Sequence, residues 1–460
     1  MQFREIQCFK SYDVRGRIGL DIDEDIVYRV ARSLAQFLLA KTVVVGFDAR
    51  ETSEKYAEMV VSGLNDAGAD SLFIGLAGTE EMYCAVNVFD ACAGIEITAS
   101  HNPKDYNGLK MVKAGAAPLD FEKELKFIKQ SAENGEWPNK KKGKNLDISN
   151  IARKKYIKKV LDIVDLKPSK PLRVLVNCGN GAIGPAFIKL KEKLKNQKHE
   201  IEFISLLQEP DSNFPYGVPN PLIEKQQEFT GSMVRKNKAD FGVAFDGDFD
   251  RCFFFDENGN FIAGEYIVGF LAKLFLQIEP NATIIHDPRV IWNIQEIIED
   301  NDGVALLSRT GHSYFKEEMR RHNAIYGGEI SAHHYFRDFF YCDSGMITFL
   351  KMLSYLSKID ETLGDITIKR SKQFVSSGEK NFRVENPDLL ISRMIDAFGE
   401  NAVVEKKDGV SFSFNNWRFN LRKSNTEPLL RLNIEARDCD GILKEKLREI
   451  EKIINDYDVL

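Results

Sequence analysis

TASHNPKDYNGLK, residues 98–110, follows the apolar run Gly94, Ile95, Glu96 and Ile97 and brings a hydroxyl, an imidazole, an amide and a proline together. A strand that ends in such a loop is where α/β folds place reacting groups. Two readings stand at this point. Ser100 and Asn102 can bond to the backbone of a turn cornered by Pro103, or Ser100 is a nucleophile for phosphorus, with Lys110 or His101 at hand.

Outward from this loop, one pattern recurs. TVVVGFDARETSEKYAEMVVSGL from Thr42, RVLVNCGNGAIGPAFIKLKEKL from Arg173 and ATIIHDPRVIWNIQEIIED from Ala282 each join a β-branched run, a polar turn and a helix-like segment. Met59, Val60 and Leu64 show the 3.6-residue period. Repeated strand-turn-helix units predict parallel sheets covered by helices. The last ninety or so residues differ. The stretches starting at Ser411, Trp417 and Leu430 alternate with period two, as half-buried antiparallel strands do, and Leu443, Leu447, Ile450 and Ile454 share one helical face. The expected fold class is therefore α/β, with three related α/β domains and a smaller C-terminal α+β domain. The boundaries expected are 1–145, 146–257, 258–368 and 369–460, with breaks at the lysine run 139–145 and near Asn258 and Gly259. A hinge is expected within residues 365–372.

At 460 residues, 43% hydrophobic and 29% charged, the chain has the composition of a multidomain globular protein. A net charge of −6 argues against a nucleic-acid or anionic-membrane surface and leaves room for a local basic pocket. The seven cysteines are scattered with no CxxC or zinc spacing, so they read as reduced, mostly buried thiols. The N-terminus lacks the apolar core of a secretory signal, and the apolar stretch near Tyr266 is interrupted by Lys273 and too short for a membrane span. The expected location is the cytoplasm.

Three further stretches carry chemistry. FGVAFDGDFDRCFFF, residues 241–255, puts Asp246, Asp248 and Asp250 within five residues, beside Arg251. Such carboxylates repel unless a cation gathers them, and hard oxygen donors suit magnesium or calcium. An EF-hand is disfavoured because Arg251 stands where its turn requires glycine, and the flanks read as strands. A solvated acidic turn is the bland alternative. In AIYGGEISAHHYF, residues 324–336, Glu329 and Ser331 alternate along an extended segment and could take adjacent sugar hydroxyls, while His333 and His334 are acid–base candidates or structural histidines. NLRKSNTEP, residues 420–428, followed by Arg431, reads as a phosphate cradle or as a polar hairpin.

Together, TASHNP, DGDFDR, GGEISAHH and RKSNTEP, in this order along nearly the whole chain, resemble the alpha-D-phosphohexomutase superfamily. CFKSYDVRG, GTEEMY, FPYGVPNPL, IIHDPRVIWN and SAHHYFRDFFYCDSGM are most similar to its bacterial phosphomannomutase branch, which feeds GDP-mannose synthesis. The resemblance implies four domains around a central cleft, with Ser100 as phosphoserine. It implies a magnesium ion on Asp246, Asp248, Asp250 and a phosphoserine oxygen, assisted by Arg251, with Lys110 and His101 beside the serine and His333 moving a proton at the sugar. Glu329 and Ser331 would grip the sugar, and Arg422, Ser424, Asn425, Thr426 and Arg431 the phosphate that is not reacting. Tyr12, Arg15, Arg289 and His312 match further substrate-binding segments.

The implied activity interconverts mannose 6-phosphate and mannose 1-phosphate through a hexose 1,6-bisphosphate, which also serves as the activator that phosphorylates Ser100. The implied partners are small hexose phosphates, with no nucleic acid or membrane, in a monomer or homodimer. A mutase that uses glucose phosphates equally well is the near alternative; a magnesium-dependent phosphosugar hydrolase is the more distant one. Phe249 stands in place of the glycine of DGDGDR, Arg289 in place of a lysine, and Thr79-Glu80 in place of a threonine-proline pair.

Overall fold

The computed structural model describes residues 2–195, 200–423 and 429–458. The chain condenses into two compact units, one of Met1–Phe261 with Tyr335–Asp360, the other of Ile262–His334 with Glu361–Leu460.

In the first unit, the β-branched run Thr42–Phe47 is the centre of a mixed sheet. It lies parallel to Asp70–Leu76 on one side and to Ala93–Ile97 on the other. Ala93–Ile97 then pairs antiparallel with Tyr106–Lys113, which pairs antiparallel with Val14–Arg17. The helix Ser53–Asp66 buries Val60 and Leu64, two of the three apolar positions whose spacing predicts it, and leaves Met59 half-buried against the same core. This topology places the serine loop between two adjacent strands, at the C-terminal end of Ala93–Ile97.

A second sheet follows, in which Phe241–Phe245 lies parallel to Leu172–Asn177 and antiparallel to Cys252–Phe255. The acidic loop is the turn between Phe241–Phe245 and Cys252–Phe255. Phe349, from the helix Gly345–Leu356, packs its ring against Phe187, Phe203, Phe241 and Phe245. That helix is capped by Ser344, and Glu80 accepts hydrogen bonds from the Ser344 hydroxyl and the Met346 N–H. The Thr79-Glu80 pair is therefore built into the unit's interior.

The second unit holds the strands Thr283–His286, Val304–Leu307 and Tyr326–Gly328, all parallel. It also holds the antiparallel sheet in which Trp417–Lys423 pairs with Val410–Ser413 and Leu429–Arg437, as the period-two pattern predicts. In the closing helix, Leu443, Ile450 and Ile454 are buried and Leu447 packs partly buried against them. The segment 365–372 is not a linker. It lies within the helix Leu363–Gln373, which begins in a capping box of Thr362 and Asp365 and is tied by Arg370 to Glu296 and Asn293. Its polar composition reflects an exposed helical face.

Two histidines in this unit are wholly buried, and burial lowers their pKa values, to about 4 for His286 and about 3 for His334. Their unfolded values lie near 6.5, so the unfolded chain binds more protons as the pH falls below that point. Stability is thus full above about pH 6.5 and declines toward pH 4. Chemical denaturation from pH 7.5 to 4.5 should show this loss, and His334→Asn should flatten it; equal slopes in the two proteins would refute the assignment.

Candidate active site

In the first unit the serine and acidic loops meet. Ser100, with φ at +50°, sits at the tight corner after Ala99. Its hydroxyl donates to Asp246 Oδ2 at 2.7 Å and accepts from Arg251 Nη2 at 3.3 Å. His101 Nδ1 lies 3.1 Å from the same hydroxyl and within hydrogen-bond reach of Arg251. The approach requires Gly247, because a Cβ there would stand 2.5 Å from the Ser100 carbonyl oxygen.

The three carboxylates are buried, and each offers an oxygen within 4.8 Å of the others. Lys110 Nζ bonds Asp248 at 2.6 Å and Asp250 at 2.5 Å, while Arg251 holds Asp246 at 2.7 Å. Thr79 Oγ1 donates to Asp248 at 2.5 Å. Burial pushes the Asp250 carboxyl well above the usual range, reinforced by Asp248, and raises Asp246 against the pull of Arg251. At Asp248, burial acts upward too, but Lys110 outweighs it and holds the carboxyl below its usual value. Burial, with Arg251 adding to it, drives His101 well below its ordinary pKa, so its imidazole is neutral at neutral pH. Asp248 Oδ1 is buried and accepts no hydrogen bond. An orphaned hard oxygen among three convergent carboxylates fits a small divalent cation.

Arg15 and Tyr12 belong to the same unit. Arg15 bonds Asp13 at 2.7 Å, Asn102 Oδ1 at 2.6 Å and the Ala99 carbonyl at 3.3 Å; Tyr12 is half-buried nearby.

The residue that holds the serine loop is one that sequence reasoning missed. Arg50 donates to the carbonyls of Ser100, Asn102, Pro103 and Tyr106 at 2.6 to 2.9 Å. Its signal was Asp48-Ala-Arg50 at the end of the strand Thr42–Phe47, where Asp48 also accepts from Ser53.

The Phe249 departure has a local explanation. Its φ is +48°, the region that favours the glycine it replaces. Its ring fills the space above Gly78, where a Cβ would stand 2.2 Å from a ring carbon, and it meets Tyr156 edge-on at 6.4 Å.

In the second unit, Asp287 receives Arg289 Nη2 at 2.7 Å and the Ile330 N–H at 2.8 Å. Residues 329–332 form a turn, not the extended segment the alternation suggested. The Ala332 N–H donates to the Glu329 carbonyl, and Ala332 has φ at +71°. Glu329 Oε2 accepts from the Gly311 N–H at 3.0 Å, just before the helix His312–His322, so the turn that carries Glu329 adjoins the start of the helix that carries His312. His333 Nδ1 stands 3.5 Å from Ser331 Oγ and 3.7 Å from Glu329 Oε1. His334 instead pairs with the Tyr326 hydroxyl at 2.7 Å and, with its low pKa, is structural.

Arg422 and Arg431 face each other across adjacent strands and, with Arg289, point at the carboxylate of Glu379. Ser424, Asn425 and Thr426 lie outside the described residues. Arg418 and Glu435 were also missed. Buried and paired at 3.0 Å, they support the Asp287–Arg289 turn: Arg418 donates to the carbonyls of Pro288 and Arg289, and Glu435 accepts the N–H groups of Ile291 and Trp292.

The comparisons bear on this arrangement. Family models described as phosphoglucomutase/phosphomannomutase, alpha/beta/alpha domains I, II and III, match residues 6–138, 154–259 and 263–374. The model of the C-terminal domain of the same family matches residues 379–452. A phosphomannomutase of Salmonella montevideo is 45% identical over 454 residues, 98% of this chain and 99% of the relative. One of Escherichia coli K12 is 44% identical over 457 residues, 98% and 100% of the two chains. Among solved structures, a phosphoglucomutase/phosphomannomutase family protein from Burkholderia thailandensis superposes with a TM-score of 0.86 at 26% identity, covering 98% of each chain. The fold and the paired loops define an α/β protein with a serine set against a buried carboxylate triad. The chain belongs to the phosphoglucomutase/phosphomannomutase family.

Proposed function

We propose that this chain is a phosphomannomutase, interconverting mannose 6-phosphate and mannose 1-phosphate through phosphorylated Ser100 and a hexose 1,6-bisphosphate. The observation that carries the reading is the Ser100 hydroxyl held 2.7 Å from Asp246 and 3.3 Å from Arg251, beside three convergent carboxylates. The names of the full-length relatives support it. Asp246, Asp248 and Asp250, with a phosphoserine oxygen, would hold magnesium, which supplies charge neutralisation at the transferring phosphoryl group.

In the forward half-reaction, the P–O bond to Ser100 breaks as a P–O bond to the free sugar hydroxyl forms. Arg251 offsets the charge on the leaving serine oxygen, the Lys110 ammonium returns a proton to it, and neutral His101 orients it. His333 takes the proton of the sugar hydroxyl, Glu329 and Ser331 bind the ring hydroxyls, and Arg289, Arg422 and Arg431 hold the other phosphate. The four sheets are read as four domains with boundaries near 145 and 257 and, since position 368 lies within the helix Leu363–Gln373, a last boundary after that helix, between the family matches that end at 374 and begin at 379. No helix among the described residues is long and apolar enough to cross a membrane. The chain is read as a cytoplasmic enzyme that supplies GDP-mannose synthesis as a monomer or homodimer.

The test compares turnover of mannose 1-phosphate and glucose 1-phosphate with magnesium and a trace of hexose 1,6-bisphosphate, following 6-phosphate and free phosphate together. Preference for mannose without phosphate release is the expected outcome. Equal rates would make the chain a dual-specificity mutase, and steady phosphate release a hydrolase.

A further inference from the structure

Glu379 has no place in the scheme so far, yet it lies among the three guanidinium groups assigned to the phosphate. Its Oε2 is 3.0 Å from Arg422 Nη2 and 3.5 Å from Arg289 Nη1, and its Oε1 is 3.4 Å from Arg431 Nη1. Arg422 and Arg431 are register partners on neighbouring antiparallel strands, an arrangement that destabilises a sheet unless an anion lies between the two charges. Arg289 has a second carboxylate in Asp287. Arg422 has no described carboxylate but Glu379 within ion-pair distance. Burial alone would raise the Glu379 carboxyl, but the three arginines outweigh it and keep it ionised.

Two further observations point to a second anion. Arg289 and Arg422 are 5% and 6% exposed, and the Nε–H of each is buried without a hydrogen-bond partner. These are planar donor forks with unused capacity, of the kind that takes phosphate oxygens. Glu379 itself sits in the short link between the strands Phe374–Ser376 and Lys380–Arg383, directly after Gly378, which has φ at +63° and open space around its Cβ position. The carboxylate is thus mounted on a link, while two of its arginine partners are mounted on paired strands.

We propose that Glu379 is the release element of the phosphate clamp, a built-in carboxylate that competes with the substrate phosphate for Arg289, Arg422 and Arg431. The inference rests on the reading of these arginines as the seat of the non-reacting phosphate. A mutase has a particular use for such a competitor. Its bisphosphate intermediate must leave the clamp and return with its other phosphate between the two half-reactions, so a clamp without a rival would hold it too long. The apparent affinity of a site is reduced by the fraction of time the site is otherwise occupied.

The sign of one substitution decides the matter. Binding of inorganic phosphate is measured by calorimetry for the full-length wild-type protein, Glu379→Gln and Arg422→Ala, with KM and kcat for mannose 1-phosphate alongside. Glu379→Gln keeps the shape and removes the charge, and should tighten phosphate binding about tenfold, the factor expected if the carboxylate occupies the clamp about nine-tenths of the time. KM should fall with it. A carboxylate that merely steadied the arginines would give the opposite, weaker phosphate binding and a higher KM; either that result or an unchanged affinity overturns the proposal. Arg422→Ala separates the two layers. If it leaves phosphate affinity unaltered, the clamp reading itself fails and the release element with it; if it weakens binding while Glu379→Gln does not tighten it, only the release element is refuted.

Discussion

Ser100→Ala is expected to lower kcat/KM by on the order of 10⁴-fold or more, because in the proposed mechanism Oγ of Ser100 carries the phosphoryl group and no other group can replace a covalent step. The folded state should change little by comparison. The hydroxyl's bonds to Asp246 and Arg251 are lost, at a cost of about 1–3 kcal/mol for the buried partner left behind. The Ser100 backbone is held independently by Arg50 through its carbonyl and by Thr98 Oγ1 through its N–H. Incubation with labelled hexose 1,6-bisphosphate should phosphorylate the wild type and leave the variant unlabelled. Substantial turnover or labelling in Ser100→Ala would move the phosphoryl acceptor elsewhere.

The second large effect is at Asp248. Asp248→Asn keeps the side-chain volume but removes the charge that Lys110 meets at 2.6 Å. Lys110 is then left, 4% exposed, with Asp250, a carboxyl that burial presses toward the neutral form. Removing one partner of a buried pair costs about 3–5 kcal/mol, so a clear fall in Tm is expected. A second readout isolates the metal. Magnesium should raise the Tm of the wild type, since a ligand that binds only the folded state stabilises it, and should leave that of Asp248→Asn unmoved. A variant with both the stability and the magnesium response of the wild type would show that Asp248 is neither a counter-charge nor a ligand.

These two residues also show how far the sequence could be read. The strand before Ser100 and the strands around Asp248 announce themselves by short apolar runs, since a strand buried on both faces is apolar nearly throughout. The order of four motifs was enough to associate Ser100 with Asp246, 146 positions away. Arg418, Glu435 and Glu379 left no such trace, and Arg50 only the Asp48-Ala-Arg50 turn after its strand. A buried ion pair or a guanidinium that collects carbonyls imposes no period on its neighbours, and its partners are fixed only by tertiary structure. The two local misreadings have one cause. Alternation at Glu329 and Ser331 arises equally from a strand or from a turn pinned by Asp287, and the polar stretch 365–372 is equally a linker or the wet side of a capped helix.

The pairing of Phe249 with Gly78 also bears on how such a site can diverge. A phenyl ring stands where the glycine of DGDGDR would leave a void, and it fits because the residue beneath it, from the segment that carries Thr79 and Glu80, has no side chain. The two positions are 171 residues apart and physically interdependent. Alanine at position 78 would strike the ring, and glycine at position 249 would empty the space and surrender the contact with Tyr156. The two positions can therefore be exchanged one at a time in a single order only, the ring leaving position 249 before a side chain enters at position 78, so the choice of residue 78 is tied to the acidic loop and not to the segment in which it is written.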